Sequence, residues 1–217
     1  MPSNAYRTFR YNLADVDRLI EAYEALSPGG PGKRGLGHIT RSGIVLLCAS
    51  CEQYIEDVTL EGVELLLSQI PSPNDLPENV QRSLSRKVKL DKHELKPIHM
   101  AGDGWKDLLR LYTKDDLAHT HSPRYGNIRD LFKNYLGITT NVADSWSIGI
   151  NGLDAFVEMR NHIAHKGRAS GRYIKYHQFE TSYEEMITWA VETDNFLSDE
   201  LSGLLPNGRP WRRTYKR

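Results

Sequence analysis

No proline interrupts residues 40–70, and Ile44, Leu47, Cys48, Cys51, Tyr54, Ile55, Val58, Leu65 and Leu66 recur there at steps of three and four residues. That spacing predicts one helix, about 45 Å long if unbroken. Its apolar residues lie on more than one side, so several neighbours, or a second subunit, must cover it. The rest of the chain therefore has to wrap a single long rod. One acid, Glu52, stands in the apolar stripe beside Cys48, Cys51 and Ile55. A carboxylate placed there needs a partner.

A second helical pattern supplies a candidate. Over residues 150–165, Ile150, Leu153, Phe156, Val157, Ile163 and Ala164 gather on one face at 3.6 residues per turn. Arg160 falls inside that face, so an always-charged guanidinium points toward an interior or an interface. Asn161 and His165 are one turn apart at the edge of the face, with His162 further round toward solvent. Gly167 predicts a helix stop, which puts His165 in the last turn. Unpaired carbonyls there favour the protonated imidazole, whereas Lys166 and Arg168 oppose it, and the net sign stays open.

Composition narrows the function classes. The 217 residues carry 28 Lys plus Arg against 28 Asp plus Glu, so no global field draws in nucleic acid and any such binding must use local patches. Mean hydropathy is −0.54. No apolar run is long enough for a membrane span and the polar start has no signal-peptide core, which predicts a cytoplasmic protein without a membrane partner. Cys48 and Cys51 lack a redox or zinc context and read as buried thiols. His119-x-His121 and the pair His162 and His165 each lack a third ligand, so neither metal nor other cofactor is expected.

The remaining elements follow from punctuation and periodicity. Residues 1–10 read as a loose lead-in, residues 15–26 as a helix ending before Pro28, and the Gly/Pro-rich residues 27–37 as a flexible connector exposing Lys33 and Arg34. After a break at residues 71–77, helices are expected over 78–95, with a charged, solvated face, over 105–112 and over 127–135, the last capped by Gly137. Residues 166–178 contain no acid, but hold Lys166, Arg168, Arg172, Lys175 and His177, the strongest local basic field in the chain. The alternation in residues 172–179 permits a short β-strand or a loop. Thr181 with Glu184 has capping-box spacing and starts a final helix. The basic, aromatic residues 206–217 read as a mobile arm, suited to single-stranded nucleic acid or merely solvated. Domain organisation is expected as 1–38, an N-terminal helix and connector; 39–205, the helical domain; and 206–217, the tail.

On the residues alone, Arg160 and His165 suit a structural role, the first pairing with a buried acid and the second with a helix-end carbonyl. The pattern Arg160-x4-His165, within Arg-Asn-His-Ile-Ala-His, however, resembles the signature of the HEPN superfamily. Residues 51–57 (Cys-Glu-Gln-Tyr-Ile-Glu-Asp), 126–132 (Gly-Asn-Ile-Arg-Asp-Leu-Phe) before Leu136-Gly137-Ile138, and 156–161 (Phe-Val-Glu-Met-Arg-Asn) narrow the likeness to the RiboL-PSP-HEPN family, across about residues 40–200. The resemblance implies an all-α bundle with extra helices, an endoribonuclease needing no metal, and a homodimer whose two motifs share one groove. It implies products with 2′,3′-cyclic phosphate and 5′-hydroxyl ends. Carried over, Arg160 is the phosphate clamp, His165 the base or acid, Asn161 a support and Glu52 a further member. The resemblance sets an acid near the Arg-His helix, which favours a Glu52–Arg160 pair that would satisfy both charges. RNA contacts fall to Lys166, Arg168, Arg172 and Lys175, with His162 facing substrate or water. The implied setting is a toxin or anti-phage effector with a separately encoded antitoxin or sensor. The alternative is a non-catalytic HEPN module that binds RNA or assembles with partners.

Overall fold

The computed structural model describes residues 1–27, 35–120, 122–166 and 174–215, with Lys166 through its backbone alone. Among these residues lie eight α-helices: α1 (Asn4–Asn12), α2 (Ala14–Leu26), α3 (Gly37–Gln69), α4 (Glu78–Leu90), α5 (Gly104–Ala118), α6 (Tyr125–Leu131), α7 (Gly149–Lys166) and α8 (Tyr176–Leu204). Short 3-10 turns and one π turn, Phe132–Leu136, connect them, and no strand occurs among the described residues.

The rod expected over residues 40–70 is α3. It ends where Ile70 turns extended ahead of Pro71, a residue that disfavours helix in its predecessor. Helices α1, α2, α5, α7 and α8 and the π turn all pack on it. Its buried residues, among them Ile44, Leu47, Cys51, Tyr54, Val58, Val63 and Leu66, therefore form the spine of the core. Two glycines admit close neighbours: a Cβ on Gly43 would lie 2.1 Å from Phe179 Cζ, and one on Gly62 2.7 Å from Leu136 Cδ2. Gly137 closes the π turn at φ +76°, with Pro77 pressed against its Cα side.

Several boundaries differ from the sequence expectation, each for a local reason. Residues 1–10 are not a loose lead-in. Ser3 Oγ accepts from Tyr6 N at 2.9 Å as the N-cap of α1. The Glu61 carboxylate of α3 accepts from Asn4 N at 3.0 Å and Ala5 N at 2.9 Å, and Tyr6 and Phe9 are buried. Helix α4 stops at Leu90, short of residue 95, because Asp91 turns extended and its carboxylate accepts from His93 N and Tyr112 Oη, each at 2.9 Å. Helix α5 runs on to Ala118 because Thr113 and Leu117 are also buried.

The short β element is likewise replaced by helix over its described residues. Lys175 N donates to Gln178 Oε1 at 3.0 Å, so α8 starts at Tyr176 rather than at Thr181. Tyr176 stacks on Tyr23 at 4.2 Å and Phe179 is buried against Gly43, a spacing of three residues that a strand would put on opposite faces. The connector residues 28–34, with Lys33 and Arg34, lie outside the described residues.

The tail is docked instead of mobile. Trp211 and Thr214 are buried, Trp211 Nε1 donates to Asp194 O at 3.0 Å, and Ser198 Oγ donates to Trp211 O at 2.7 Å. Thr214 Oγ1 donates to Asp194 Oδ2 at 2.6 Å, while the hydroxyl of Ser3 donates to Oδ1 of the same carboxylate. Asp194 on α8 thus ties both ends of the described chain together. Arg209 and Arg213 meanwhile turn back to Asp199, at 2.6 and 2.7 Å.

Two predictions follow from this packing. Gly43→Ala drives a methyl into the Phe179 ring and lowers stability in urea melts by about 1–3 kcal/mol. Gly203→Ala, with nothing within 4 Å, is neutral or gains up to about 1 kcal/mol. Burial pushes the Asp194 carboxyl up from its ordinary value, against the hydrogen bonds from Ser3 and Thr214 that pull it down. A folded pKa above the unfolded one gives stability that is complete below the unfolded value and lost as pH rises through the folded value. Wild type therefore gains stability relative to Asp194→Asn as pH falls from neutral to mildly acid, measured by melts at each pH.

Candidate functional site

Helix α7 is gripped at its entry and middle. Trp146 Nε1 donates to Thr193 Oγ1 and Ser147 N to Glu192 Oε2, each at 2.9 Å, which anchors the approach to α7 on α8. Leu153, Phe156 and Val157 are buried, and Arg124 pairs with Glu158 on the flank. The expected apolar face is cut short at both ends: Ile150 is 36% exposed and Ala164 is exposed. Burial falls toward the last turn of α7. Arg160, Asn161 and Ile163 are half-buried, and His162 and His165 are exposed.

Arg160 reaches back from this fading edge to α3. Its Nη2 donates to Glu52 Oε1 in the ion pair that the sequence pattern called for, with side chains only 20% and 23% exposed. Nη1 donates to Asn161 Oδ1 at 3.1 Å, and Nε donates to Cys48 Sγ at 3.4 Å. The Cys48 thiol in turn faces Glu52 Oε1 at 3.9 Å. Each guanidinium nitrogen thus has a protein acceptor, two on α3 and one on α7. The fork is held in a defined plane by groups one helical turn apart.

Cys48 is the member of this cluster that sequence reasoning missed, having read it as an inert buried thiol. The signal was present: Cys48 stands four residues before Glu52 and so shares its stripe. Burial pushes its thiol up from the ordinary value, more than the hydrogen bond and charge of Arg160 pull it down. Cys51, also free, is pushed well above its usual value by burial. Cys48 is consequently a neutral acceptor at neutral pH, and Glu52 brings an acid to the guanidinium.

His165 occupies the last turn of α7, about 7.5 Å further along the axis than Arg160. Asn161, one turn before His165, accepts from Arg160 Nη1. Of the residues expected to contact RNA, His162 and Lys175 are exposed, whereas Arg168, Arg172 and the Lys166 side chain lie outside the described residues, as do His121 and the helix stop at Gly167. The return of the chain is pinned near α3: Thr40 Oγ1 donates to Ile174 O at 3.2 Å, and Tyr176 Oη donates to Glu24 Oε1 at 2.9 Å. An oriented cation can hold a phosphate, and a solvent-exposed imidazole can exchange a proton with its ester.

The family model described as RiboL-PSP-HEPN matches residues 11–199. No curated protein and no solved structure matches the chain. Among the described residues, no helix is long and apolar enough to cross a membrane.

The Glu52–Arg160 contact predicts a measurable coupling. In a double-mutant cycle of Glu52→Gln and Arg160→Gln, urea melts give about 1–3 kcal/mol, as for a hydrogen bond to a charged group. The same cycle on Glu78 and Arg82, whose side chains are 75% and 76% exposed, gives a coupling within error.

Proposed function

Because the chain belongs to the RiboL-PSP-HEPN family, we propose that it is an endoribonuclease that cleaves RNA without a metal, through attack by the 2′-hydroxyl. HEPN-family domains are often ribonucleases and commonly dimerise and bind RNA. The observation that carries the reading is the Arg160 guanidinium, oriented by Glu52, Asn161 and Cys48 within one turn and a half of the exposed His165.

RNA brings its own nucleophile. His165 takes the 2′-hydroxyl proton, the 2′-oxygen bonds to phosphorus, and the bond from phosphorus to the 5′-oxygen breaks. Negative charge spread over the phosphate oxygens is met by Arg160, which needs no reorganisation because its plane is already set. The departing 5′-oxygen takes up a proton, leaving a 2′,3′-cyclic phosphate on one fragment and a 5′-hydroxyl on the other. In a homodimer with the two α7 ends across one groove, His165 of the second copy supplies that proton. Asn161 supports both steps, and His162, Lys166, Arg168, Arg172 and Lys175 draw in the RNA backbone. The family resemblance supports a toxin or anti-phage setting, with an antitoxin or sensor encoded separately.

The test is incubation of the purified protein with mixed-sequence RNA in excess EDTA, beside His165→Ala and Arg160→Ala, with fragment ends identified by mass spectrometry. Wild type yields cyclic-phosphate ends, and each variant loses at least about a hundredfold in rate, the scale of a general base or a charge clamp. RNA bound but uncut returns the protein to the class of non-catalytic HEPN modules. Cleavage only with added metal sinks the mechanism.

A further inference from the structure

The guanidinium of Arg160 has two kinds of partner. Glu52 is charged and balances the cation. Asn161 and Cys48 are neutral and hold its direction. Cys48 contacts Nε, the nitrogen next to the side-chain stem, and this contact fixes the rotation of the fork about the stem. It does so from α3, four residues before Glu52, so that both α3 residues grip one side of the fork. A second acid at this position would give the cluster a net negative charge and repel a phosphate. An alkyl side chain would leave the Nε–H without its acceptor. A thiol satisfies the donor and leaves the charge balance unchanged.

We infer that Cys48 is a positioning residue of this site: its sulfur accepts the Arg160 Nε proton and sets the plane in which the guanidinium meets a phosphate. The consequence for catalysis rests on the ribonuclease reading above, whereas the orientation of Arg160 does not. Burial of Cys48 without exposed surface keeps it from touching RNA itself, so its influence passes through Arg160 and the Glu52 carboxylate that pairs with it.

The experiment compares wild type, Cys48→Ala, Cys48→Ser and Cys51→Ala. The first readout is the Arg160 Nε–H resonance in nitrogen-15 spectra, assigned by its loss in Arg160→Lys; the second is single-substrate RNA cleavage. In Cys48→Ala the resonance shifts and exchanges faster with water, and kcat falls about tenfold while KM stays within about twofold, the pattern of a lost transition-state interaction. Cys48→Ser, which keeps an acceptor, returns kcat to within about threefold of wild type. Cys51→Ala removes a neighbouring buried sulfur of equal size and leaves both readouts at wild-type values, which separates orientation from packing. An unshifted resonance in Cys48→Ala, or equal losses in Cys48→Ala and Cys51→Ala, overturns the assignment. Should wild type release no product, the ribonuclease reading falls, and the resonance alone decides whether Cys48 orients Arg160.

Discussion

A charge inside an apolar seam needs its counter-charge delivered from another element, and here that requirement joins α3 to α7. Glu52 sits on a helix that neighbours cover on most sides, and Arg160 sits on the last half-covered turn of a helix otherwise packed through Leu153, Phe156 and Val157. Either residue alone would be a desolvated ion; together, with Cys48 and Asn161 taking further donors, they form a satisfied cluster at the edge of the core. The pair therefore sets which face of α7 meets α3. A rotation of α7 by one residue, about 100°, would both turn Leu153, Phe156 and Val157 out of the core and strand the two charges. The polar pair and the apolar contacts thus fix the same register.

Asp194 applies the same logic at the other end of the molecule. Its carboxylate is fully buried, and its hydrogen-bond donors come from opposite ends of the described chain, Ser3 and Thr214. No cation balances it among these partners, so burial raises its pKa, whereas the Glu52 carboxylate has a guanidinium beside it. The two acids thus show the two ways in which a helical bundle tolerates a carboxylate: a hydroxyl cage that closes the structure, and an ion pair at an edge that solvent can still reach.

The difference also explains what was legible in the residues. Long-period features survived: the unbroken α3 and the Arg160 face of α7 follow from spacing on a single helix, and the pairing of Arg160 with Glu52 follows from the demand that a charge find a partner together with the family resemblance that sets an acid near the Arg-His helix. Features that depend on contacts far along the chain did not. The first ten residues look polar because the Glu61 carboxylate that caps α1 lies on another helix. The tail reads as a mobile arm because the carboxylate that holds Thr214 lies on α8, and the start of α8 reads as a strand or a loop because Tyr23 and Gly43, which receive Tyr176 and Phe179, are remote in sequence. Cys48 went unrecognised for a different reason. A thiol is ordinarily apolar filling, and only its distance to a guanidinium makes it an acceptor.

Along α7 the demands of chemistry and of folding are separated by little more than one turn. On the proposed ribonuclease reading, a phosphate clamp works best when its direction is set before the substrate arrives, and that requires packed, hydrogen-bonded surroundings such as Arg160 has. A proton acceptor needs access to substrate and to water for the return of its proton, and that requires exposure such as His165 has. Helix α7 meets both demands with one continuous backbone, because burial declines along it from Leu153, Phe156 and Val157 to the exposed His165. The neutral balance of 28 basic and 28 acidic residues then has a plain meaning. Under the ribonuclease reading, attraction for a polyanion is not spread over the surface but falls to local basic residues such as the exposed Lys175, while the direction of the clamp is supplied by the core.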